Sequence, residues 1–223
     1  MSNIPKTREL IDLEHTKAAP LLSKYEYPWE VLKEISDFIY ELGKTLPEDE
    51  YESPEAGIYI AKSAKIAESA YIGAPCIIGA GTEVRHCAYI RGAALIGDGA
   101  VIGNSTELKN CIISDGAQVP HYNYVGDSIL GYRAHMGAGA VTSNVKSDRS
   151  PVTVKSGDEK MNTGLKKFGA VLGDFAEIGC GAVLNPGCII GRRTSVYPQV
   201  SLRGTVAADC IVKSENNVVR REN

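Results

Sequence analysis

Five polar residues in this 223-residue chain have the types needed to handle an acyl group and an anion together. Arg91 and Lys109 stand eighteen residues apart, His121 follows twelve residues on, Tyr124 comes three later, and Asn144 lies beyond. The histidine sits in "VPHYNYVGDSILG", residues 119–131. Histidine changes charge near neutral pH, which makes it the natural base for removing a proton from an amine during acyl transfer. A tyrosine hydroxyl or an asparagine amide beside it can orient a sugar or polarise a carbonyl. Beside Pro120, His121 can equally be a solvated turn residue. The two cations pose a similar choice. Stacked at a strand spacing of about 4.8 Å, they repel unless an anion such as a phosphate or phosphosugar sits between them. The alternative is that they pair with surface carboxylates such as Glu107.

The elements that must position these residues are legible as a repeat. Aliphatic residues recur every six positions at Ile60, Ile66, Ile72, Ile78, Val84, Ile90, Ile96 and Ile102, and again at Leu172, Ile178, Leu184, Ile190, Val196 and Leu202. A small residue often follows, as at Gly73, Gly79, Gly97 and Gly103. Four positions after the aliphatic, another small or β-branched residue recurs, as at Cys76, Thr82, Ala88, Ala94 and Ala100. A period of six fits neither a helix of about 3.6 residues per turn nor a plain alternating strand. It fits short strands joined by tight corners around a narrow interior. The steps Leu108 to Ile113 and Val125 to Leu130 are one residue shorter, which should tighten a corner locally.

This pattern resembles the hexapeptide-repeat family. The resemblance implies a mainly β fold, a left-handed parallel β-helix of triangular section with three hexads per coil. Its handedness departs from the usual right-handed crossover and comes from the resemblance alone. Residues eighteen apart would then stack on one face, Arg91 and Lys109 among them.

The chain divides into 1–52, 53–212 and 213–223 on this reading. In "PWEVLKEISDFIYELG" the apolar residues fall at helical spacing, with Pro28 suited to the first turn and Gly43 to the stop. A shorter helix is expected around Lys17 to Lys24. This helical segment is expected to cap the open end of the solenoid, because terminal repeats need a cover. The period vanishes between about 143 and 170, which reads as one long inserted loop, functional or disordered. The polar tail 213–223 is expected to leave the core or contact a neighbouring subunit.

Composition narrows the function classes. The chain is 43% hydrophobic and 23% charged, with three Phe and one Trp, so its core must come from Ile, Val, Leu and Ala. A net charge of −3 offers no basic field for a nucleic-acid backbone. The N-terminus lacks an apolar signal-like run, and no apolar stretch approaches the roughly 18 residues that span a bilayer. The six cysteines show no CxxC spacing and read as reduced thiols of a cytoplasmic protein, most of them small apolar fillers.

A second resemblance covers Ile90 to about Asn144. The stretches "YIRGAAL", "IGNSTELKN", "VPHYNYVGDSILG" and "MGAGAVTSN" are similar to the acetyltransferase part of bacterial bifunctional enzymes that make UDP-N-acetylglucosamine. With "NTGLKKFGA" added, the chain looks still more like the C-terminal domain of archaeal sugar-1-phosphate nucleotidyltransferase/acetyltransferases. The resemblance implies His121 as general base, Arg91 and Lys109 as phosphate and sugar anchors, Tyr124 as a sugar contact and Asn144 as a contact near the acetyl group and thioester. His135 stands where many bacterial members have asparagine; it is either a substrate contact that alters the accepted sugar or a structural corner residue. Arg149, Lys155, Lys166 and Lys167 are candidates for phosphate or coenzyme contact. The resemblance further implies acetyl-CoA as co-substrate, lying along later coils near Gly179, Cys180, Pro198 and Arg203, in a groove between two chains of a homotrimer. It implies no metal.

The expected function is therefore acetyl-CoA-dependent N-acetylation of an amino-sugar phosphate, glucosamine-1-phosphate first. The first fifty residues are too short for the relatives' nucleotidyltransferase domain, so nucleotidyl transfer is not expected. Two alternatives remain open: a non-catalytic sugar-nucleotide binding or regulatory protein, and a metal-dependent hydratase using His86 and His121.

Overall fold

In the computed structural model, which describes residues 3–222, the repeat winds into a β-solenoid of stacked parallel coils. Each coil contributes three short strands. On the first face Ile58 pairs in register with Cys76, Cys76 with Ala94, Ala94 with Cys111, and Ile129 with Val171. The last pairing spans the inserted segment. On the second face Val84 pairs with Ile102, Ile102 with Val119, and Ile178 with Val196. On the third face Tyr71 pairs with Tyr89, Tyr89 with Glu107, and Glu107 with Tyr124.

The six-residue trains fill the interior, where Ile78, Ile90, Ile96, Ile102, Leu172, Leu184 and Ile190 are fully buried. Met136 and Thr142 carry the train between its two halves and are buried as well. The small position answers the crowding at the corner. Thr82 donates its hydroxyl to Gly97 O at 2.7 Å, and Thr106 donates to Val119 O at 2.9 Å. A Cβ on Gly103 would stand 1.6 Å from the Pro120 carbonyl oxygen, so the next coil excludes any side chain there.

The five-residue steps do tighten corners. Strands Glu107–Ile113 and Tyr124–Leu130 run straight from the third face of one coil into the first face of the next. Asn110 and Asp127 turn those corners at φ of 48° and 49°, a left-handed conformation that Asn and Asp tolerate better than most residues. The corner between the first and second faces is built differently. Asp98 accepts from Ala80 N, Asp115 from Asp98 N, and Asp174 from Tyr132 N, each carboxylate closing the corner of the coil before it.

The N-terminal segment holds short helices at Thr7–Leu10 and Ala19–Leu22, a 3-10 turn at Pro28–Lys33 and a helix at Ile35–Gly43. Only its end, Tyr51–Glu52, covers the edge of the first coil, pairing antiparallel with Ile58–Ala61; the helical part, expected as the cap, lies along the first face. The reason is the outward column of that face, Ile77, Leu95, Ile112, Ile129, Val171 and Ile189, whose burial drives the packing. Leu22, Trp29, Leu32, Ile35 and Ile39 cover it, and Asp115 N and Asp174 N donate to His15 O and Leu10 O along the corner.

The inserted segment is folded, not disordered. It forms an antiparallel hairpin, Thr153–Ser156 with Glu159–Asn162, and lays Val152, Val154, Leu165 and Phe168 onto the same apolar face. Trp29 and Phe168 meet with ring centroids 5.8 Å apart. In the tail, Asn217–Arg220 folds back antiparallel on Cys210–Ser214, covering the outer edge of the second-face sheet while remaining exposed itself. Among the described residues, no helix is long and apolar enough to cross a membrane.

Candidate functional site

The third face carries the polar cluster. The Arg91 N–H donates to Leu108 O, which places Arg91 directly against Lys109 on the next coil, as the spacing requires. The cations do not share an anion. Arg91 Nη1 pairs with Glu107 at 2.9 Å, and this partner raises the guanidinium pKa further. Lys109 Nζ lies 3.1 and 3.3 Å from the two oxygens of Asp127.

Asp127 is the hub of this cluster. Its side chain is 6% exposed and accepts from Lys109, from Asn110 Nδ2 at 2.9 Å and from Asn144 Nδ2. Asn144 Nδ2 also donates to the Tyr124 hydroxyl at 3.1 Å. Burial, and next the Asp127 carboxylate, push the Tyr124 phenol up, so it remains a hydrogen-bond donor at neutral pH. Lys109, Tyr124 and Asn144 thus converge with Arg91 alongside. Asp127 and Asn110 went unselected from sequence; the shortened step at each, seventeen residues apart, was the available signal.

His121 sits at the corner between the second and third faces and is exposed. Its main chain is tied down: His121 N donates to Asn123 Oδ1, and Gly139 N donates to His121 O. Asn123 itself is buried, donating to Gly137 O and Ala140 O at 2.8 and 3.0 Å, so this amide builds the corner and is turned away from solvent. Gly181 N reaches Ala138 O and Gln199 N reaches Cys180 O. His121, Ala138, Cys180 and Pro198 therefore occupy one corner position on successive coils, all exposed. The Ala138 N–H donates to no acceptor among the described residues. Gly179 packs under this corner, where a Cβ would stand 2.4 Å from Pro198 N. Arg203 is exposed further along the column of Arg91 and Lys109, next to Asn185.

Upstream on the His121 corner, Asn104 pairs with His121 in register and donates to His86 O, and His86 Nδ1 meets Ser69 Oγ at 2.6 Å. The two histidines are thus separated by a full coil. Among the described residues no group of three or more His, Cys, Asp and Glu is arranged to hold a metal ion.

His135 is not brought to this cluster. It lies on the second face, in register with Gln118, and its Nδ1 pairs with Glu177 at 2.9 Å. There it lines a separate hollow of about 860 Å³ with His15, Asp115, Tyr132 and Arg133. In the inserted segment, Arg149, Lys166 and Lys167 gather with Val145 around a hollow of about 350 Å³. Phe168 N donates to Asn144 O, so this basic hollow adjoins the polar cluster. Lys155 stands apart, opposite Lys160 in the hairpin.

Residues 75–206 match the family described as GMPPB C-terminal domain. A "Bifunctional protein GlmU" of Methanococcus aeolicus is 31% identical over 111 residues, 50% of this chain and 27% of that protein. A "Bifunctional sugar-1-phosphate nucleotidylyltransferase/acetyltransferase" of Sulfurisphaera tokodaii is 32% identical over 90 residues, 40% of this chain and 22% of that protein. The matched region is thus about a quarter of the length of these relatives. Among solved structures, a hexapeptide transferase family protein from Anaplasma phagocytophilum aligns over 75% of this chain and 82% of its own, at 16% identity and a TM-score of 0.42.

Proposed function

This chain belongs to the GMPPB C-terminal domain family, a description that names no reaction, and we propose that its own residues carry out acetyl-CoA-dependent N-acetylation of an amino-sugar phosphate. The observation that carries the reading is the third face: an exposed histidine at one edge, a protonated phenol and two cations across it, and a basic hollow at the other edge. The name of the Sulfurisphaera tokodaii relative includes acetyltransferase, which supports the same chemistry.

In this scheme the acceptor's sugar lies against Tyr124, with its phosphate toward Lys109 and the cluster of Arg149, Lys166 and Lys167. The amine faces His121, whose ring takes the proton as nitrogen attacks the thioester carbonyl. The free Ala138 N–H, next along the corner, is the donor available to the developing oxyanion. CoA leaves as the thiol after the tetrahedral intermediate collapses. Both amide hydrogens of Asn144 are engaged by Tyr124 and Asp127, so its part is to hold the phenol in place. Acetyl-CoA would descend the corner past Cys180 and Pro198, with Arg203 on the neighbouring face, against a second copy of the chain in a homotrimer.

A second reading rests on the paired cations. With Arg91 on Glu107 and Lys109 on Asp127, the face can also serve as a non-catalytic sugar-nucleotide binding surface. Thiol release from acetyl-CoA with glucosamine-1-phosphate and galactosamine-1-phosphate as acceptors separates the two. The enzyme reading expects turnover that drops by about 10²–10⁴ in His121→Ala. Equal, background-level release by wild type and His121→Ala on every acceptor would sink it.

A further inference from the structure

The outward column of the third face does not stop at Tyr124. Glu107, Tyr89 and Tyr71 continue it in register over the three preceding coils. Tyr71 is 60% exposed and Tyr89 45%, and their rings meet at 5.4 Å between centroids with 57° between planes. Neither ring is needed by the inward core, which the six-residue train fills without them. Arg91 stands two residues after Tyr89 on the same strand side, half-exposed, and its only charged partner among the described residues is Glu107.

We propose that Tyr71, Tyr89, Glu107 and Arg91 form a nucleoside diphosphate site, so that the acceptor is an amino sugar carried on a nucleotide. The inference rests on the acetyl-transfer reading for its catalytic end and on this column for the rest. Four chemical requirements meet along it and the column beside it, where Arg91 flanks Tyr89 and Lys109 flanks Glu107. A base stacks on aromatic rings. A ribose diol donates to a carboxylate, which Glu107 supplies one coil further on. A diphosphate needs cations, and Arg91 and Lys109 stand one above the other at that level. The sugar then falls at Tyr124, beside His121. Three coil spacings of about 4.8 Å separate Tyr71 from Tyr124, or roughly 14 Å, which is the reach of an extended nucleotide sugar. Glu107 and Arg91 exchange partners on binding: the carboxylate takes the diol while the guanidinium turns to phosphate, so neither charge is left unpaired.

The test is calorimetric titration of the full chain with UDP, GDP and dTDP, and with inorganic pyrophosphate as the probe that lacks a nucleoside. At least one nucleotide is expected to bind about tenfold or more tightly than pyrophosphate, the gain a stacked base provides. Tyr71→Ala with Tyr89→Ala should remove that gain and leave pyrophosphate binding unchanged, while Tyr71→Phe with Tyr89→Phe should keep it, because stacking needs the ring and not the hydroxyl. Light scattering of each variant fixes its oligomeric mass. The site is overturned if nucleotides bind no better than pyrophosphate, if the double alanine variant binds them as wild type does, or if that variant changes oligomeric mass, which would make the rings a subunit contact. Thiol release separates the two readings. Ring-independent turnover of amino-sugar 1-phosphates retains acetyl transfer and discards this site. Ring-dependent nucleotide binding without turnover on any acceptor retains the site and discards acetyl transfer.

Discussion

The first and third faces of the prism turn the same kind of aliphatic inward and different residues outward. On the first face the outward column is Ile77, Leu95, Ile112, Ile129, Val171 and Ile189, all buried beneath the N-terminal segment and the inserted hairpin. On the third it is Tyr71, Tyr89, Glu107, Tyr124, Val141 and Val183, which stay exposed or half-buried, with no segment among the described residues laid over them as on the first face. A coil of three faces needs only its inward residues to stack. What each face turns outward is free to serve a second purpose: anchoring the rest of the chain on one side, presenting chemistry on the other.

The sharpest way to break this contrast is to shorten one outward residue on each face. Ile112→Ala opens a cavity between two packed layers and should cost about 2–5 kcal/mol in urea unfolding. Val183→Ala, on the uncovered face and only half-buried, should cost less than about 1 kcal/mol. Equal costs would mean that the first face is no more sealed than the third.

The next largest effect concerns the corner joining these two faces. Asp127→Asn removes the charge that Lys109, Asn110 and Asn144 all address and turns an amide N–H toward them. A buried, newly unsatisfied group costs about 1–3 kcal/mol. If the corner positions the acceptor, its KM should rise well beyond what that instability explains, whereas Asn110→Ala, losing one donor, should shift KM less. An unchanged KM in Asp127→Asn would reduce the cluster to a structural corner.

How much of this was legible in the sequence follows the same division. The inward trains predicted the β-helix because a six-residue period leaves few other ways to bury Ile78, Ile90 or Leu184. Arg91 over Lys109 was likewise a matter of counting. The cap was misplaced because Ile77, Leu95 and Ile112 sit directly before inward residues, where they read as part of the repeat and not as a second apolar surface. Asp127 was missed because its role depends on a corner bringing Asn110 and Asn144 to it from other coils. His135 came in through the resemblance, yet it pairs beside Gln118, at the far end of the second-face strand Gln118–His121 from the corner that holds the site.

Thiol chemistry offers a smaller test of the same inside and outside. Cys76, Cys111 and Cys188 point into the coil, and burial pushes the thiols of Cys111 and Cys188 up to about 12. A thiolate is the reactive form, so these should resist a disulfide reagent in the native protein. Cys87 and Cys180 are exposed and should react, with all six titrating only after denaturation. Because Cys180 lies on the proposed coenzyme path, saturating CoA should slow its labelling and leave Cys87 unaffected. Equal protection of both would place the coenzyme elsewhere.

The smallest effect lies where the sealed face meets the second face, at the last coil. Arg193 Nε and Nη2 reach Asp209 at 2.6 and 2.8 Å, and this fork holds the Asp209 carboxyl below its usual range, with Arg221 and Arg220 adding to the pull. A carboxyl lowered in the folded state stabilises the fold above the ordinary carboxylate pKa of about 4, and that contribution is lost as pH falls through the lowered value. Melting temperature should therefore fall more steeply on acidification in wild type than in Arg193→Ala, with the two curves converging at the acid end. Both groups are solvent-exposed, so salt should erase most of the difference. A variant that melts lower by the same amount at every pH would show that Arg193 contributes by packing its stem against the corner, with no part for the charge.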